Sequence, residues 1–334
     1  MKAMQLSAAA PIDRSPLSLV DVLPPQAQAD LIRLKVTCCA VCRTDLHIVE
    51  GDLPLVYSPI IPGHQIVGVI DQVGPACKRL QVGQRVGIAW LRHVCGKCRF
   101  CLAGRENLCP YSQYTGYHAD GGYAEYAVVP EDFAYELPDA FDNQSASPLL
   151  CAGIIGFRSL KRCNLPRGGK LAIFGFGSSA HIVMQIARHR GHEIYVVSQS
   201  ANHQSLARQL GASWCGDDAA HMPSRVDGAI VFAPAGTVVP PALQCLEPGG
   251  VVALAGIHMS PIPSLDYQKY LYGERDIHPV EANTRDDARE LLAEAAAIGV
   301  RPRTKPYALK DANQALADMK AGQIDGTGVL MISS

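Results

Sequence analysis

The chain has almost no net charge and no long apolar run. Its 30 Lys and Arg residues against 31 Asp and Glu residues leave a formal net charge of −1, so no basic excess exists to hold a nucleic-acid backbone or an anionic membrane. The longest apolar stretches, such as Val251–Ile257, fall far short of the roughly 18 residues that a membrane span requires. We therefore expect small molecules as partners, with no nucleic acid and no membrane.

The first ten residues also lack the pattern of a signal peptide, because a single Lys precedes a weak apolar run that ends at Pro11. We therefore expect a cytoplasmic protein. In that reducing compartment the 12 cysteines are expected to be metal ligands or buried apolar residues rather than disulfides. The length of 334 residues and the hydrophobic content of 48% predict two packed domains and exclude disorder.

Four cysteines are crowded into one polar loop with gaps of two, two and seven residues, namely Cys95, Cys98, Cys101 and Cys109. Four thiolates complete a tetrahedral zinc shell and leave no position for a substrate, so this spacing predicts a structural zinc site. An iron–sulfur cluster is the competing interpretation, since clusters also use four cysteines. The ferredoxin pattern closes with Cys-Pro after a gap of three residues, however, and this loop does not.

The two halves of the chain differ in periodicity. Up to about Leu150, short β-like runs alternate with Gly and Pro, which predicts an irregular β-rich domain. From Lys170, apolar strands alternate with amphipathic helices, which predicts a doubly wound parallel sheet. The runs of the first half are Gln65–Asp71, Arg85–Trp90 and Gly122–Val129. The second half has predicted strands at Lys170–Phe174, Glu193–Val197, Asp227–Ala233 and Val251–Gly256, and helices at Ser178–Arg190, Ala201–Leu210 and Val238–Leu246.

The tail after about Arg285 is mixed and is expected to return to the first domain. Its predicted elements are helix Asp286–Ala297, strand Lys305–Leu309, helix Ala312–Ala321 with Asp311 as N-cap, and strand Thr327–Ile332. The predicted fold class is therefore α/β. A Rossmann domain spans residues 153–285, and an irregular β-rich domain spans residues 1–152 and 286–334.

A glycine loop joins the first strand of the predicted Rossmann domain to its first helix. It matches G-x-G-x-x-G/A with the residues Gly175, Phe176, Gly177, Ser178, Ser179 and Ala180. In a strand–turn–helix context, small residues let the backbone approach a pyrophosphate that rests on the amides of the helix N-terminus. The alternative is a tight turn with no ligand. We favour a dinucleotide-binding site.

The second strand of this domain lacks the acidic residue that grips the ribose hydroxyls of NAD. Ser198, Gln199 and Ser200 stand there instead. Because a neutral site does not repel a 2′-phosphate, the sequence favours NADP over NAD, although no Arg or Lys stands beside it. Ser198 and Ser200 are equally compatible with ordinary turn residues.

Six motifs follow one another in the order found in a known family. They are Cys42–His47, Pro62–Gly68, the four-cysteine loop, Asp120–Tyr126, Leu149–Gly153 and Gly175–Ala180. Over essentially its whole length the chain resembles the zinc-dependent alcohol dehydrogenases of the medium-chain dehydrogenase/reductase family. The resemblance implies a GroES-like catalytic domain beside the Rossmann domain, two zinc ions per chain, and a homodimer or homotetramer. It also implies reversible hydride transfer between an alcohol and NAD(P) by way of a zinc-bound alkoxide.

The resemblance assigns roles residue by residue. Cys42, His64 and Cys151 match the three ligands of a catalytic zinc with an open fourth position. Asp45 matches the carboxylate that hydrogen-bonds the liganding histidine. Thr44 matches the hydroxyl that touches the substrate oxygen, and His47 the imidazole that passes the proton to solvent through the cofactor ribose. Without the surrounding motifs, each residue has an ordinary structural alternative: His47 as a surface histidine, Thr44 as a helix cap, and Asp45 as an acidic residue in the first turn of a helix.

Two departures from the family pattern bear on chemistry. Gln65 stands near the metal where these enzymes usually carry Glu, so less negative charge should oppose ionisation of a zinc-bound water or alcohol. Leu53 stands where the yeast-type enzymes carry Trp, and Trp90 keeps the aromatic wall of their narrow pocket. We therefore expect medium-chain or aromatic primary alcohols to be accepted better than ethanol, although core packing is the alternative role for both wall residues.

Two rival functions remain open. One is another oxidoreductase of the same fold, acting on a polyol or an amino alcohol. The other is a non-catalytic zinc-binding module. The neutral charge, the Cys42/His64/Cys151 set and the glycine loop argue against the module.

Overall fold

The computed structural model describes residues 1–332. The chain divides into two compact units, each built around its own β-sheet. The first unit holds Met1–Cys151, Asn283–Ala296 and the residues from Pro302 onward. The second holds Ala152–Ala282 and Ala297–Arg301.

The first 151 residues are rich in strands and poor in helices. The strands are β1 (Lys2–Leu6), β2 (Leu17–Asp21), β3 (Leu31–Ala40), β4 (Gln65–Val73), β5 (Arg85–Ile88), β6 (Leu91–His93), β7 (Gln113–Tyr114), β8 (Tyr126–Pro130) and β9 (Ala134–Glu136). The α-helices are α1 (Arg43–Glu50), α2 (Arg99–Leu102) and α3 (Asn143–Ala146). A short 3₁₀ helix, Ser147–Leu150, ends this part of the chain.

The middle of the chain alternates helices with strands. It contains α4 (Ala152–Cys163), β10 (Lys170–Phe174), α5 (Ser178–His189), β11 (Glu193–Val197), α6 (Ala201–Gln209), β12 (Trp214–Gly216), β13 (Val226–Val231), α7 (Val239–Gln244), β14 (Leu246–Leu254), α8 (Tyr267–Tyr270) and β15 (Asp276–Pro279). The six strands form one sheet in the order β12-β11-β10-β13-β14-β15. Every neighbouring pair is parallel, so this unit has the predicted Rossmann-like sheet.

The last part of the chain returns to the first unit. It contains α9 (Arg285–Ile298), β16 (Thr304–Ala308), α10 (Ala312–Lys320) and β17 (Thr327–Met331). β17 pairs antiparallel with the end of β3, which completes a seven-stranded sheet in the order β16-β17-β3-β4-β5-β9 with β8 also on β3. The two-domain α/β fold, with a β-rich and a Rossmann-like part, is confirmed.

The burial pattern of β3 explains how the seven-stranded sheet brings the first predicted metal ligand into the interior. Its buried Ile32, Leu34 and Val36 alternate with more exposed Arg33 and Lys35, which is the pattern of a strand with one face in the core. Its last three residues are buried without alternation, and β17 and β4 pair with the two edges of the strand here. The chain therefore leaves β3 in the interior, directly before the first predicted metal ligand.

Most predicted elements are confirmed within a few residues, and the starts of two strands were wrong. The strand predicted at Gly122–Val129 begins only at Tyr126, because the amides of Gly121 and Gly122 donate to the loop that precedes β4. The strand predicted from Val251 begins at Leu246. Asp311 is the N-cap of α10 as predicted, although its side chain makes no capping hydrogen bond. Among residues 1–332, no helix has both the length and the apolar content to cross a membrane.

Candidate functional site

Three predicted zinc ligands from separate parts of the chain come together in the first unit. Cys42 precedes α1, His64 precedes β4, and Cys151 follows the 3₁₀ helix. Their ligand atoms all lie within 4.8 Å of one another, and the two sulfurs are 4.0 Å apart. Sulfur and nitrogen ligands around one tetrahedral zinc have separations of this order.

Asp45 fixes the orientation of the His64 ring. Its Oδ1 lies 2.9 Å from His64 Nδ1, and its Oδ2 accepts hydrogen bonds from the Cys42 amide at 2.9 Å and from the Tyr123 hydroxyl at 3.0 Å. Asp45 and His64 are fully buried. With Nδ1 engaged, the other ring nitrogen is the one free to bind a metal.

His64 Nε2 is itself a test of whether a metal fits this site. It is buried and has no hydrogen-bond partner among the described residues. A buried polar atom without a partner costs free energy, and a metal ion held with the two thiols would remove that cost. The donor set of two sulfurs and one imidazole fits zinc, so the residues suit the metal that the sequence predicts.

The electrostatics of the cluster favour a thiolate at Cys42. Its pKa is lowered well below the ordinary thiol value, chiefly because Cys151 hydrogen-bonds its sulfur and also because His64 lies beside it. Metal binding requires deprotonated thiols. The surroundings of Cys42 therefore favour the deprotonated sulfur that binds a metal.

The residue before His64 must be glycine. Gly63 has φ +98°, and a Cβ atom there would overlap the ring of Tyr123. The amides of Gly122 and Tyr123 donate to the main-chain oxygens of Gly63 and Pro62. The segment around Tyr123 thus supports the loop that carries His64, and it holds the hydroxyl that bonds Asp45.

The two residues predicted to relay a proton lie on α1. Thr44 is in the first turn, two positions after Cys42, and is 7% exposed. His47 is one turn further on, and its Nδ1 lies 2.7 Å from Asp52 Oδ2. A carboxylate at Nδ1 fixes the tautomer and orientation of the ring, leaving Nε2 as the second site of proton transfer. Asp52 follows His47 by five residues, and no sequence pattern indicated this contact.

Trp90 lies beside His64, with ring centroids 4.9 Å apart in an edge-to-face arrangement. Tyr114 stacks on Trp90 at 4.8 Å, and Tyr117 at 6.0 Å. The Tyr117 hydroxyl donates to the oxygen of Pro54, next to the half-buried Leu53. Trp90 is thus packed among aromatic rings beside His64, and its place in the wall of a substrate pocket stays a prediction.

Gln65 turns its amide toward the main chain. Its Nε2 donates to the oxygens of Ala40 and Val41, each at 3.3 Å. Gln65 follows His64 directly in the sequence, and its amide group is engaged with carbonyl oxygens. The side chain therefore has a structural task that the sequence did not reveal.

The four remaining predicted ligands form a second cluster. Ligand atoms of Cys95, Cys98, Cys101 and Cys109 lie within 4.8 Å of one another. The pKa of the Cys95 thiol is lowered to about 6, mainly because the Lys97 amide donates to its sulfur. Four sulfurs at these separations fit a closed tetrahedral zinc site.

An ion pair ties the four-cysteine loop to the start of α9. Arg285 Nη2 lies 2.7 Å from Glu106 Oε2, and the Arg285 amide donates to Glu106 Oε1 at 2.7 Å. The planar guanidinium contacts both carboxylate oxygens, which fixes the geometry as well as adding attraction. The returning tail of the chain therefore anchors this loop.

The glycine loop of the second unit connects β10 to α5. Gly175 has φ +85°, and a Cβ atom there would lie 3.2 Å from the Ala233 nitrogen. Gly177, the N-cap of α5, has open space within 4 Å of its Cβ position. As a glycine, the N-cap itself has no side chain to cap the first-turn amides, which suits a position that a pyrophosphate would approach.

The other predicted loop residues differ in accessibility. Ser178 and Ser179 are half-buried, whereas the side chains of Phe176 and Ala180 are buried in the core. Phe176 can therefore offer a ligand only its backbone. Ser198 Oγ accepts from the Ser200 amide, and Ser200 Oγ caps α6 by accepting from the His203 amide, each at 3.4 Å. Both serines thus have local structural partners, which is what the alternative role as turn residues predicts.

Comparisons with known proteins show which families the two parts of the chain resemble. Residues 28–139 match the alcohol dehydrogenase GroES-like domain, and residues 180–297 match the zinc-binding dehydrogenase domain. A probable alcohol dehydrogenase, AdhA, of Mycobacterium tuberculosis is 48% identical over 99% of this chain and 97% of its own. An alcohol dehydrogenase of Geobacillus stearothermophilus is 35% identical over 96% of this chain and 97% of its own. The solved structure of a cinnamyl alcohol dehydrogenase from Sorghum bicolor superposes with a TM-score of 0.89, at 26% identity, over 99% of this chain and 98% of that one.

Proposed function

The chain belongs to the zinc-binding alcohol dehydrogenases of the medium-chain dehydrogenase/reductase family, and from this premise we propose that it interconverts primary alcohols and aldehydes with NAD(P). The observation that carries the proposal is the buried Nε2 of His64, which has no hydrogen-bond partner within residues 1–332 and lies within 4.8 Å of two thiol sulfurs from other parts of the chain. The proposed substrates are medium-chain or aromatic alcohols.

Cys42, His64 and Cys151 would hold the catalytic zinc, and the four-cysteine loop the structural one. Zinc, when bound by two thiols and one imidazole, supplies a Lewis acid that makes an alcohol more acidic and a carbonyl more electrophilic. The nicotinamide cofactor supplies the hydride acceptor or donor. Asp45 holds the His64 ring in the tautomer that leaves Nε2 for the metal.

We assign the movement of the hydroxyl proton to two residues of α1. Thr44 orients the hydroxyl of the alcohol and passes on its proton. His47 receives that proton at Nε2, because its Nδ1 is engaged by Asp52. Asp52 is therefore proposed to keep the relay imidazole in one orientation.

The dinucleotide is proposed to lie on the glycine loop before α5, with its pyrophosphate against the open space at Gly177. NADP is the favoured form, since residues 198–200 carry no acid to repel a 2′-phosphate. The hydroxyls of Ser198 and Ser200 would donate hydrogen bonds to that phosphate while still accepting the local backbone bonds described above. A homodimer or homotetramer remains the predicted assembly.

The substrate class is proposed from the wall around the metal ligands. Trp90, Tyr114, Tyr117 and Leu53 offer aromatic and aliphatic surface, which favours apolar chains over polyols or amino alcohols. Burying each additional methylene contributes about 0.8 kcal/mol, so two of them should raise kcat/KM roughly tenfold. Butanol and benzyl alcohol should therefore exceed ethanol.

A cofactor-by-substrate matrix tests the proposal. NAD and NADP are each assayed with straight-chain alcohols from ethanol to octanol, benzyl alcohol, sorbitol and threonine. Leu53→Trp is the matched variant, and it should move the maximum toward shorter alcohols. A maximum at ethanol in the natural protein would reject the pocket, and a preference for sorbitol or threonine would reject the substrate class. No turnover of any alcohol by protein that holds two zinc ions would reject the activity.

A further inference from the structure

The segments that carry the three ligands are joined by buried hydrogen bonds that involve none of the ligand atoms. Gln65 directly follows His64, at the first position of β4. Its Nε2 donates to the main-chain oxygens of Ala40 and Val41, the two residues before Cys42. One side chain thus links the strand that leads to Cys42 with the strand that leads away from His64.

Ser147 links the third segment to the same point. Its hydroxyl accepts from the Ala40 amide at 2.8 Å and donates to the Gln65 main-chain oxygen at 2.6 Å. Ser147 is the first residue of the 3₁₀ helix that leads to Cys151. Gln65 and Ser147 are both 0% exposed. We call these two residues the brace.

The chemistry of the brace is specific. The two oxygens that meet Gln65 Nε2 belong to carbonyl groups, which only accept hydrogen bonds, so the Gln65 amide makes contacts here that an apolar side chain of the same size could not make. An ionised carboxylate has no proton to donate and would face two oxygen dipoles. The Ser147 hydroxyl accepts and donates at once, which no apolar side chain of similar size can do. Both residues therefore act through hydrogen bonding and not through volume alone.

We propose that Gln65 and Ser147 are positioning residues that hold the three ligand segments in register and so tighten the binding of metal by Cys42, His64 and Cys151. The proposal rests on the proposed function in one respect, that these three side chains hold zinc. It also gives Gln65 a role in hydrogen bonding, in addition to the effect of its neutral side chain on the charge near the metal. Since the amide hydrogen-bonds main-chain oxygens, the Gln65→Glu change alters the brace as well as the charge.

The experiment measures the loss of zinc, not turnover. Purified protein with two zinc ions per chain is dialysed against the chelator dipicolinate, and the zinc remaining is followed over time. The four-cysteine site is an internal control, because no brace residue contacts it. Changes to groups that support metal ligands typically weaken binding by about 10–100-fold. Ser147→Ala should therefore lose one zinc per chain roughly tenfold faster than the natural protein, with the second zinc unaffected.

Two variants at position 65 separate hydrogen bonding from shape. Gln65→Met keeps a similar volume without a donor, and it should release one zinc at least about tenfold faster. Gln65→Glu should release it faster than the natural protein but more slowly than Gln65→Met, because a buried carboxyl that keeps its proton can still donate to one of the two carbonyl oxygens. Replacement of the released zinc by Co²⁺ gives a second readout, since the visible bands of the thiolate-bound ion should be weaker and shifted in both variants.

Ser159→Ala is the matched control. Ser159 is also 0% exposed, and its hydroxyl donates to the Ile155 oxygen at 2.6 Å within α4, about two turns along the helix that follows Cys151. This variant loses a buried hydroxyl of the same kind and should keep the natural rate of zinc loss. Equal rates in Ser147→Ala, Gln65→Met and the natural protein would overturn the proposal, as would faster loss in Ser159→Ala to the same extent. If these variants lose zinc faster but the natural protein turns over no alcohol, the proposal for the brace is supported and the proposed activity is rejected.

Discussion

The two cysteine clusters of the first unit are built in opposite ways. The four-cysteine cluster comes from one loop of fifteen residues and lies partly at the surface. The cluster of Cys42, His64 and Cys151 comes from three segments that the seven-stranded sheet and the buried loops around it bring together. A closed set of four thiolates stabilises structure, whereas three ligands with a vacant position can serve a reaction. The comparison predicts that damage to each cluster has a different consequence.

The largest effect on activity should come from Cys42→Ala. Removing this thiol should reduce zinc from two ions to one per chain and alcohol oxidation by at least about 10³-fold, because polarisation by the metal contributes several kcal/mol. Zinc content and kcat/KM measure the two effects. Activity within tenfold of the natural protein would show that the three-ligand cluster is not the reaction site.

Cys98→Ala should have the converse effect. We expect the loss of the other zinc, a fall in Tm of about 5–10 °C, and much smaller changes in kcat/KM when assayed well below Tm, because this cluster supports only its loop. Calorimetry and zinc content measure this. If Cys98→Ala abolished activity without lowering Tm, the division between a structural and a reactive cluster would be wrong.

Asp45→Asn should weaken only the three-ligand site. The carboxylate accepts from Cys42, Tyr123 and His64 in a fully buried position, so its loss should lower zinc affinity there by about 10–100-fold. Tyr123→Phe removes one of these bonds and keeps the charge, and it should have the smaller effect. Competition with a chelator measures both, and equal affinities in all three proteins would contradict the assigned role.

The same contrast explains what could be predicted from the sequence. The four-cysteine cluster follows from local spacing alone. β10 and β11 were predicted with their observed bounds, because parallel strands covered on both faces appear as short continuous apolar runs. The three-ligand set needed the resemblance of whole motifs to a known family, since no local spacing joins Cys42 to Cys151.

The supporting contacts of the three-ligand site were not predictable in this way. Tyr123, Gln65 and Ser147 act on residues of distant segments, and their partners appear only when the sheet is formed. The segment before β8 was wrongly assigned to a strand for the same reason. Gly121 and Gly122 give their amides to the loop around His64, a use that a period-two pattern does not reveal.

The smallest expected effect tests how the surface cluster is held. Arg285→Gln breaks the ion pair with Glu106, whose side chain is 12% exposed while that of Arg285 is 27% exposed. Because water screens part of this attraction, we expect a loss of only about 1 kcal/mol and a Tm lower by about 2–4 °C. Arg289→Gln is the matched control, since Arg289 lies on the same helix and pairs with Asp286 at the surface, with 57% of its side chain exposed. The same Tm shift in both variants would mean that the charge of α9 matters and its contact with the loop does not. A shift confined to Arg285→Gln would show that even the locally encoded cluster depends on the returning tail of the chain.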